Sequence, residues 1–399
     1  MHAIQKALHS LVIALNRFLS ILLPDRIPVT FVGAEASREL CQSIAQTGVK
    51  KPLIVTDAGL VQLGIVARVT SALADAGVES AVYDGVEPDP TFDQVNAGFA
   101  QLERDGCDAV IAVGGGSPMD AAKIIGAMAT NGGKAEKLVG TFKVRKAPLP
   151  LYAIPTTAGT GSEVTLVAVV SDSKTHIKGF VVDPKLLPDM AALDPTLMVG
   201  LPSHITAATG MDALTHAVES FIARTSNART EAWATAAVRM VFQNLPKACA
   251  DGTDLEARKA MSLASYYAGL AFTRTSVGYV HAIAHTFGAY YGTPHGHANA
   301  IVLPHVLDFS KGAARDRLAA LADVIGVGGG GPEQKAQAFI EAVRELMARI
   351  DIPYTLSDLR EEDIAPIAKQ ALGEAAFNYP VPRFMSQPEA EGLIREILA

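Results

Sequence analysis

Short apolar, β-branched runs alternate with amphipathic stretches in the first half of the chain. The runs are typical of buried parallel strands, and the stretches between them have the three- and four-residue spacing of helices. The predicted strands span residues 52–57, 80–85, 109–117, 151–157 and 166–172, and the predicted helices span residues 60–76, 91–103 and 118–129. This alternation predicts an α/β fold, in which helices cover both faces of a parallel sheet.

The pattern changes after Pro202, where the β-rich runs stop and Ala-rich stretches with helical spacing follow. These stretches span residues 204–223, 228–243, 255–271, 280–291, 314–324, 331–349 and 387–398. The chain is therefore predicted to contain an α/β domain followed by an all-α domain, with the boundary near residue 200.

The first 25 residues carry a separate apolar stripe. Large apolar residues recur at three- and four-residue steps from Leu8 to Leu22, which predicts a helix that ends near Pro24. Asn16 and Arg17 interrupt the apolar run, and a spanning helix needs about 20 mostly apolar residues, so no membrane span is expected. We expect this helix to pack on its own protein or on a second subunit, and an interfacial membrane helix is the alternative.

Length, charge and cysteine content narrow the function classes. A chain of 399 residues favours two domains, and a net charge of −7 without a basic run does not favour nucleic acid as a partner. A small molecule is the expected partner. Cys41, Cys107 and Cys249 are far apart and odd in number, which argues against a disulfide framework or a cysteine zinc site and favours the cytoplasm.

An acid and several histidines are candidates for a metal site. Asp212 and His216 are four residues apart in GMDALTHAVES, so they share one face of a predicted helix. His281 can point at the same ion from a second helix, and His295 follows fourteen residues later. One carboxylate and three imidazoles suit a divalent first-row metal such as Fe(II) or Zn(II).

Three segments of the α/β half are candidates for a nucleotide site. The segment AVIAVGGGSPMDAAK reads as strand, glycine turn and helix, and helix N-terminal amides attract phosphate, although a tight turn without a ligand uses the same residues. Asp57 ends a predicted strand, where it either binds ribose hydroxyls and repels a 2′-phosphate or caps the next helix. The segment PTTAGTGSEVT is either a ligand loop or a hydrogen-bonded turn.

These motifs, in this order, resemble those of the iron-containing, or group III, alcohol dehydrogenases. The matching segments are GGGSPMDAAK, PTTAGTGSEVT, GMDALTHAVES and GYVHAIAHTFGAYYGTPHGHANAIVLPHV. The resemblance covers roughly residues 28–399. It implies a Rossmann-like dinucleotide-binding domain at 28–200 and a helical metal-binding domain at 201–399. The predicted N-terminal helical extension at 1–27 lies outside the resemblance.

The resemblance also implies a role for individual residues. The implied metal ligands are Asp212, His216, His281 and His295. The implied cofactor contacts are Asp57, Gly114, Gly115, Gly116, Ser117, Asp120, Thr156, Thr157, Thr160 and Lys178, and Asp57 is associated with preference for NAD over NADP. His285 is implied as a proton relay, and by its position alone it also fits a further metal ligand or a core histidine. Phe272 is implied on the wall of the substrate cleft.

The implied enzyme is an NAD-dependent alcohol dehydrogenase that contains Fe(II), or Zn(II) in its place, and forms a homodimer or larger homo-oligomer. Maleylacetate reductase and hydroxy-acid dehydrogenase are alternatives within the family, and a lyase that resembles dehydroquinate synthase is the alternative from another class. Arg274 either pairs with a substrate carboxylate or bridges helices.

Overall fold

The computed structural model describes Ile13, residues 26–173 and residues 178–399. These residues form two compact units, one that ends at Gly200 and one that runs from Leu201 to Ala399. Apart from Ile13, the predicted N-terminal helix lies outside the described residues. No helix in the described part of the chain is long and apolar enough to cross a membrane.

The first unit contains a six-stranded sheet in which all paired strands are parallel. In chain order its strands are β1 (Val29–Val32), β2 (Pro52–Val55), β3 (Ala81–Tyr83), β4 (Ala109–Gly114), β6 (Leu151–Pro155) and β9 (Met190–Leu193). They lie side by side in the order β1-β9-β6-β4-β2-β3. A small second sheet contains β5 (Gly140–Thr141), β7 (Val167–Ser171) and β8 (Lys178–Val182). The predicted strand at 166–172 is therefore β7, and it pairs antiparallel with β8 outside the main sheet.

Helices cover both faces of the main sheet. They are α1 (Ala36–Gln46), α2 (Ala58–Gln62), α3 (Ile65–Asp75), α4 (Phe92–Asp105) and α5 (Gly116–Asn131). Leu53 and Val55 of β2 pack in a core with α4 and α5, whereas Ile54 packs in a second core with α1 and α3. Because successive side chains of a strand point to opposite faces, an apolar run such as β2 requires cover on both.

The second unit is helical, and no strand occurs among its described residues. Its helices are α6 (Ser203–Ile222), α7 (Ala228–Ala250), α8 (Leu255–Thr275), α9 (Tyr279–Tyr291), α10 (His295–Ile325), α11 (Pro332–Arg349), α12 (Ile364–Asn378) and α13 (Gln387–Arg395). Helix α6 packs against α7, α8 and α10, and nearly all of its residues after Thr206 are buried. The predicted architecture of an α/β unit followed by an all-α unit is confirmed.

Candidate active site

The central helix α6 carries three buried ionisable side chains, Asp212, His216 and Glu219. Burial of a charged group without a partner is costly, so each of these side chains requires polar neighbours. Two other helices supply polar neighbours. Helix α9 contributes His281, and α10 contributes its first residue, His295.

The four predicted metal ligands lie together. Asp212 Oδ1 is 3.8 Å from His281 Nε2 and 3.6 Å from His295 Nε2. Asp212 Oδ2 is 3.9 Å from His216 Nδ1. One donor atom from each of the four residues lies within 4.8 Å of the others, and His295 is the only exposed member of the group. The structure therefore brings together one carboxylate and three imidazoles from three helices.

The acceptor atoms of this cluster converge on the side-chain amide of Asn299. Its Nδ2 lies 2.7 Å from Asp212 Oδ1, 3.2 Å from His281 Nε2 and 3.1 Å from His295 Nε2. An amide group has two hydrogens, so it cannot donate to three acceptors at once. The buried Oδ1 of Asn299 has no hydrogen-bond partner among the described residues. With both imidazole nitrogens unprotonated, as metal ligation requires, three lone-pair atoms face two amide hydrogens, which favours a bound cation.

A close backbone approach places His295 beside Asp212. A Cβ added to the neighbouring Gly296 would lie 2.4 Å from the carbonyl oxygen of Ala208 and 3.3 Å from the Asp212 Cβ. Real Cβ atoms do not approach a backbone oxygen this closely, so only glycine allows the first turn of α10 to pack on α6 at this point. The glycine therefore sets the separation of two predicted ligands.

Glu219 orients His281. Its carboxylate accepts the backbone N–H groups of Gly278 and Val280 at 2.8 Å each, and it lies 2.6 Å from His281 Nδ1. Burial raises the pKa of Glu219 to about 8, although these N–H donors act in the opposite direction. With Nδ1–H bound to Glu219, His281 presents the Nε2 lone pair to Asp212 and the rest of the cluster. Glu219 was missed in the sequence, although its position seven residues after Asp212 places it on the same helix face.

His285 lies beside the cluster and is not one of its four members. Its ring is stacked on that of His295, with centroids 5.2 Å apart and an interplanar angle of 20°. Its Nδ1 lies 2.7 Å from Glu374 Oε1 of α12, a residue that sequence reasoning also missed. His285 of α9 therefore stacks on α10 through its ring and contacts α12 through Nδ1.

The two predicted substrate-pocket residues, both on α8, have different surroundings. Phe272 stacks on the His216 ring with centroids 4.1 Å apart, so it packs directly against the cluster. The Arg274 guanidinium carbon lies 5.9 Å from the centroid of the Trp233 ring of α7. This contact joins α8 to α7, as expected if Arg274 bridges helices. A substrate role for Arg274 stays a prediction.

In the first unit, the candidate cofactor residues follow neighbouring strands. Asp57 comes after β2, and the glycine turn follows β4, which lies next to β2. The chain continues from β2 to β3 on one side and from β4 to β6 on the other, so the order of strands reverses between β2 and β4. Open α/β sheets bind ligands outside the carboxyl ends of their strands at such a reversal.

The glycine turn, Gly114–Gly116, contacts the segment PTTAGTGSEVT at 155–165, called the threonine loop below. A Cβ at Gly115 would lie 3.3 Å from Thr157 Oγ1, and one at Gly116 would lie 3.1 Å from Thr160 Cγ2. The Thr156 N–H donates to the carbonyl of Gly114 at 3.0 Å. The two predicted cofactor segments therefore form one surface of small residues and hydroxyls at the N-terminus of α5.

Asp89, which was not predicted, connects this surface to Lys178. The Asp89 N–H lies 3.3 Å from Ser117 Oγ, and its carboxylate lies 3.1 Å from Lys178 Nζ. Lys178 at the start of β8 is thereby held near the glycine turn, where its charge suits a phosphate group.

Asp57 and Asp120 both make hydrogen bonds within the protein. Asp57 Oδ1 accepts the Leu60 N–H at 2.9 Å and caps α2. The Asp120 carboxylate accepts the Ser162 hydroxyl at 2.9 Å and the Val169 N–H at 3.0 Å. Asp120 thus ties α5 to Ser162 of the threonine loop and to β7. Contacts of either carboxylate with a cofactor stay predictions.

Two family models cover almost the whole chain. The model for iron-containing alcohol dehydrogenase matches residues 28–195, and the C-terminal model of the Fe-containing alcohol dehydrogenase family matches residues 206–398. The chain belongs to the iron-containing alcohol dehydrogenase family. It is a metal-dependent, NAD-linked oxidoreductase that interconverts alcohols and aldehydes.

Similar proteins match this iron-containing alcohol dehydrogenase over nearly their full length. The NAD-dependent methanol dehydrogenase of Bacillus methanolicus is 39% identical, over 93% of this chain and 98% of the relative. The 1,3-propanediol dehydrogenase of Klebsiella pneumoniae is 40% identical, over 95% and 99%. A crystal structure of a 1,3-propanediol oxidoreductase superposes with a TM-score of 0.91 at 39% identity, over 93% of this chain and 98% of that chain.

Proposed function

We propose that this protein oxidises and reduces small neutral alcohols and aldehydes with NAD(H), at a divalent ion held by Asp212, His216, His281 and His295. The convergence of these four side chains carries the proposal. The relatives act, by their names, on methanol and 1,3-propanediol, which supports a short neutral substrate. The predicted homo-oligomer and the cytoplasmic location stay predictions.

The four side chains fit a first-row ion. Metal–ligand bonds of about 2.1 Å around a tetrahedral ion separate neighbouring ligand atoms by roughly 3.4 Å. The distances from the Asp212 carboxylate oxygens to the three imidazoles are 3.6, 3.8 and 3.9 Å, so shifts of a few tenths of an ångström would close the site. We propose Fe(II) as the native ion, in keeping with the family, and the same ligands accept Zn(II).

The chain's own residues hold the reactants and carry the proton. When bound, the ion supplies Lewis acidity at the substrate oxygen and NAD supplies the hydride acceptor. Glu219 keeps His281 in the tautomer that a metal ligand requires. Phe272 packs against His216 and excludes water from that side of the cluster. His285 Nε2 takes up the hydroxyl proton released in alcohol oxidation and passes it to water.

The glycine turn, the threonine loop and Lys178 are proposed to hold the NAD pyrophosphate. Small residues let the backbone approach the phosphates, and the amides at the N-terminus of α5 attract their charge. A relative that is NAD-dependent by name supports NAD as the cofactor.

Metal analysis combined with a substrate panel tests this function. Protein reconstituted without oxygen with Fe(II), or separately with Zn(II), should bind about one ion per chain. It should form NADH with short neutral alcohols and diols, lose activity to a chelator, and recover best with Fe(II). Equal activity of metal-free protein would contradict the metal assignment. A marked preference for hydroxy acids would contradict the neutral substrate and favour a role for Arg274 in binding a substrate carboxylate. Catalysis without net formation of NADH would favour the lyase alternative.

Replacement of Asp57 by Asn should change the preference between NAD and NADP. Asn removes the charge that repels a 2′-phosphate, yet it still caps a helix well, so α2 keeps its N-cap. We expect the NADP/NAD ratio of kcat/KM to rise about tenfold, with little change in Tm. Asp57→Ala is the control for the cap, because it should also lower stability by about 1 kcal/mol. A wild type that already prefers NADP would refute the role.

A further inference from the structure

Two histidines on the same face of α9 are each paired with a glutamate. His281 Nδ1 lies 2.6 Å from Glu219 of α6, and His285 Nδ1 lies 2.7 Å from Glu374 of α12. The side chains of the first pair are each 3% exposed, whereas His285 is 17% and Glu374 is 22% exposed. Both pairs join a histidine Nδ1 to a glutamate oxygen, and the second pair is the more exposed to solvent.

A tyrosine fixes the glutamate of the second pair. The hydroxyl of Tyr379, which follows the end of α12, donates to the same Oε1 atom that faces His285, at 2.5 Å. Burial and the neighbouring Glu374 hold the pKa of Tyr379 well above its usual value, so the hydroxyl keeps its proton and remains a donor. One carboxylate oxygen is thereby held between a phenol and an imidazole.

This arrangement selects one tautomer of His285. A carboxylate only accepts hydrogen bonds, so the nitrogen that faces Glu374 must carry the proton, and this nitrogen is Nδ1. In the neutral ring the lone pair then lies on Nε2. The ring plane is limited by the stacking on His295 and by an edge contact with His281 at a centroid distance of 6.0 Å. Both the tautomer and the orientation of His285 are therefore determined by neighbouring side chains.

We propose that Glu374, held by Tyr379, is a positioning residue that fixes the tautomer and orientation of His285 so that Nε2 faces the substrate proton. The inference rests on the proposed role of His285 as proton carrier. Glu374 does for His285 what Glu219 does for His281, with proton transfer in place of metal ligation as the result.

Kinetics of Glu374 variants in the metal-loaded, full-length enzyme give the first test. We expect Glu374→Ala to lower kcat by about 10- to 100-fold, less than the full contribution of an acid–base group. KM for the alcohol, KM for NAD and metal content should stay near wild type. Glu374→Gln keeps an oxygen acceptor for both donors and should lose less. Tyr379→Phe removes one donor and should lower kcat by a smaller factor with the same KM.

Glu396→Ala is the matched control. Glu396 also pairs with a histidine of the helical unit, His305, at 3.2 Å, and neither residue belongs to the metal cluster. The kcat of Glu396→Ala should equal that of wild type. If Glu374→Ala instead loses metal and thermal stability in parallel with activity, Glu374 supports the fold only and the proposal is overturned.

Nitrogen-15 NMR of histidine-labelled, metal-free protein gives a test that does not depend on activity. With the His285 signals assigned by their loss in His285→Ala, wild type should show the tautomer protonated at Nδ1, and Glu374→Ala should show a mixture of both. An unchanged tautomer in Glu374→Ala would overturn the proposal. If the tautomer responds while both His285→Ala and Glu374→Ala keep full kcat, the positioning stands and the proton-carrier role of His285 fails.

Discussion

His281→Ala should abolish bound metal and enzyme activity together. His281 provides one of four donor side chains, and its Nε2 lies 3.8 Å from Asp212 Oδ1 in the buried centre of the cluster. Loss of this ligand opens the site, and the Lewis acidity of the ion is worth several kcal/mol in the transition state. We expect kcat/KM to fall by about three orders of magnitude or more. Metal content by mass spectrometry and kcat/KM with a short alcohol measure the two losses.

NAD binding should survive in this variant, because the candidate cofactor residues belong to the other compact unit. His305→Ala is the matched control, since His305 is a largely buried histidine of the same unit that lies outside the cluster. It should keep metal, activity and NAD affinity. A His281→Ala protein that is free of metal and yet fully active would refute the proposed mechanism.

Glu219→Gln should weaken metal binding by about 10- to 100-fold, the usual cost of losing a carboxylate that orients a histidine ligand. Both oxygens of Glu219 accept N–H groups, so the NH₂ end of a glutamine would face a donor instead of an acceptor. His281 then loses its fixed tautomer. Competition with a chelator of known affinity measures the change, and excess metal should restore most of kcat.

Glu163→Gln is the control for the general effect of a neutralised buried glutamate. Glu163 is also almost fully buried, and burial raises its pKa to about 7, but it lies in the first unit. Its substitution should leave metal affinity unchanged. Equal affinities in wild type and Glu219→Gln would show that Glu219 does not orient a ligand.

Local patterns in the sequence predicted the strands, the helices and the side-chain pairs whose residues lie close together in the chain. The apolar runs at 52–57, 109–117 and 151–157 became β2, β4 and β6, because an apolar strand is stable only when both of its faces are covered. The pair Asp212 and His216 lies on one face of α6, as helical spacing requires.

Other elements were missed or misplaced for identifiable reasons. The structure continues α10 from His295 to Ile325 through Pro304, where the pattern predicted a helix only at 314–324. Proline usually interrupts a helix, and here tertiary packing overrides that preference. The predicted helix at 60–76 is divided at Gly64, which adopts a left-handed conformation. Helices α1 and α12 and strands β1, β5, β8 and β9 were not predicted.

The sequence by itself determined the fold class, the four candidate ligands and the candidate cofactor segments, because each is encoded in short-range spacing or in a compact motif. Only the tertiary structure decided which glutamates orient the histidines of the site. Glu219 and His281 are 62 positions apart, and His285 and Glu374 are 89 apart. No local periodicity connects residues so distant in the chain. Their hydrogen bonds form because the tertiary structure places α9 beside Glu219 of α6 and packs α9 against α12. That arrangement assigns one histidine to the metal cluster and the next to a glutamate on another helix.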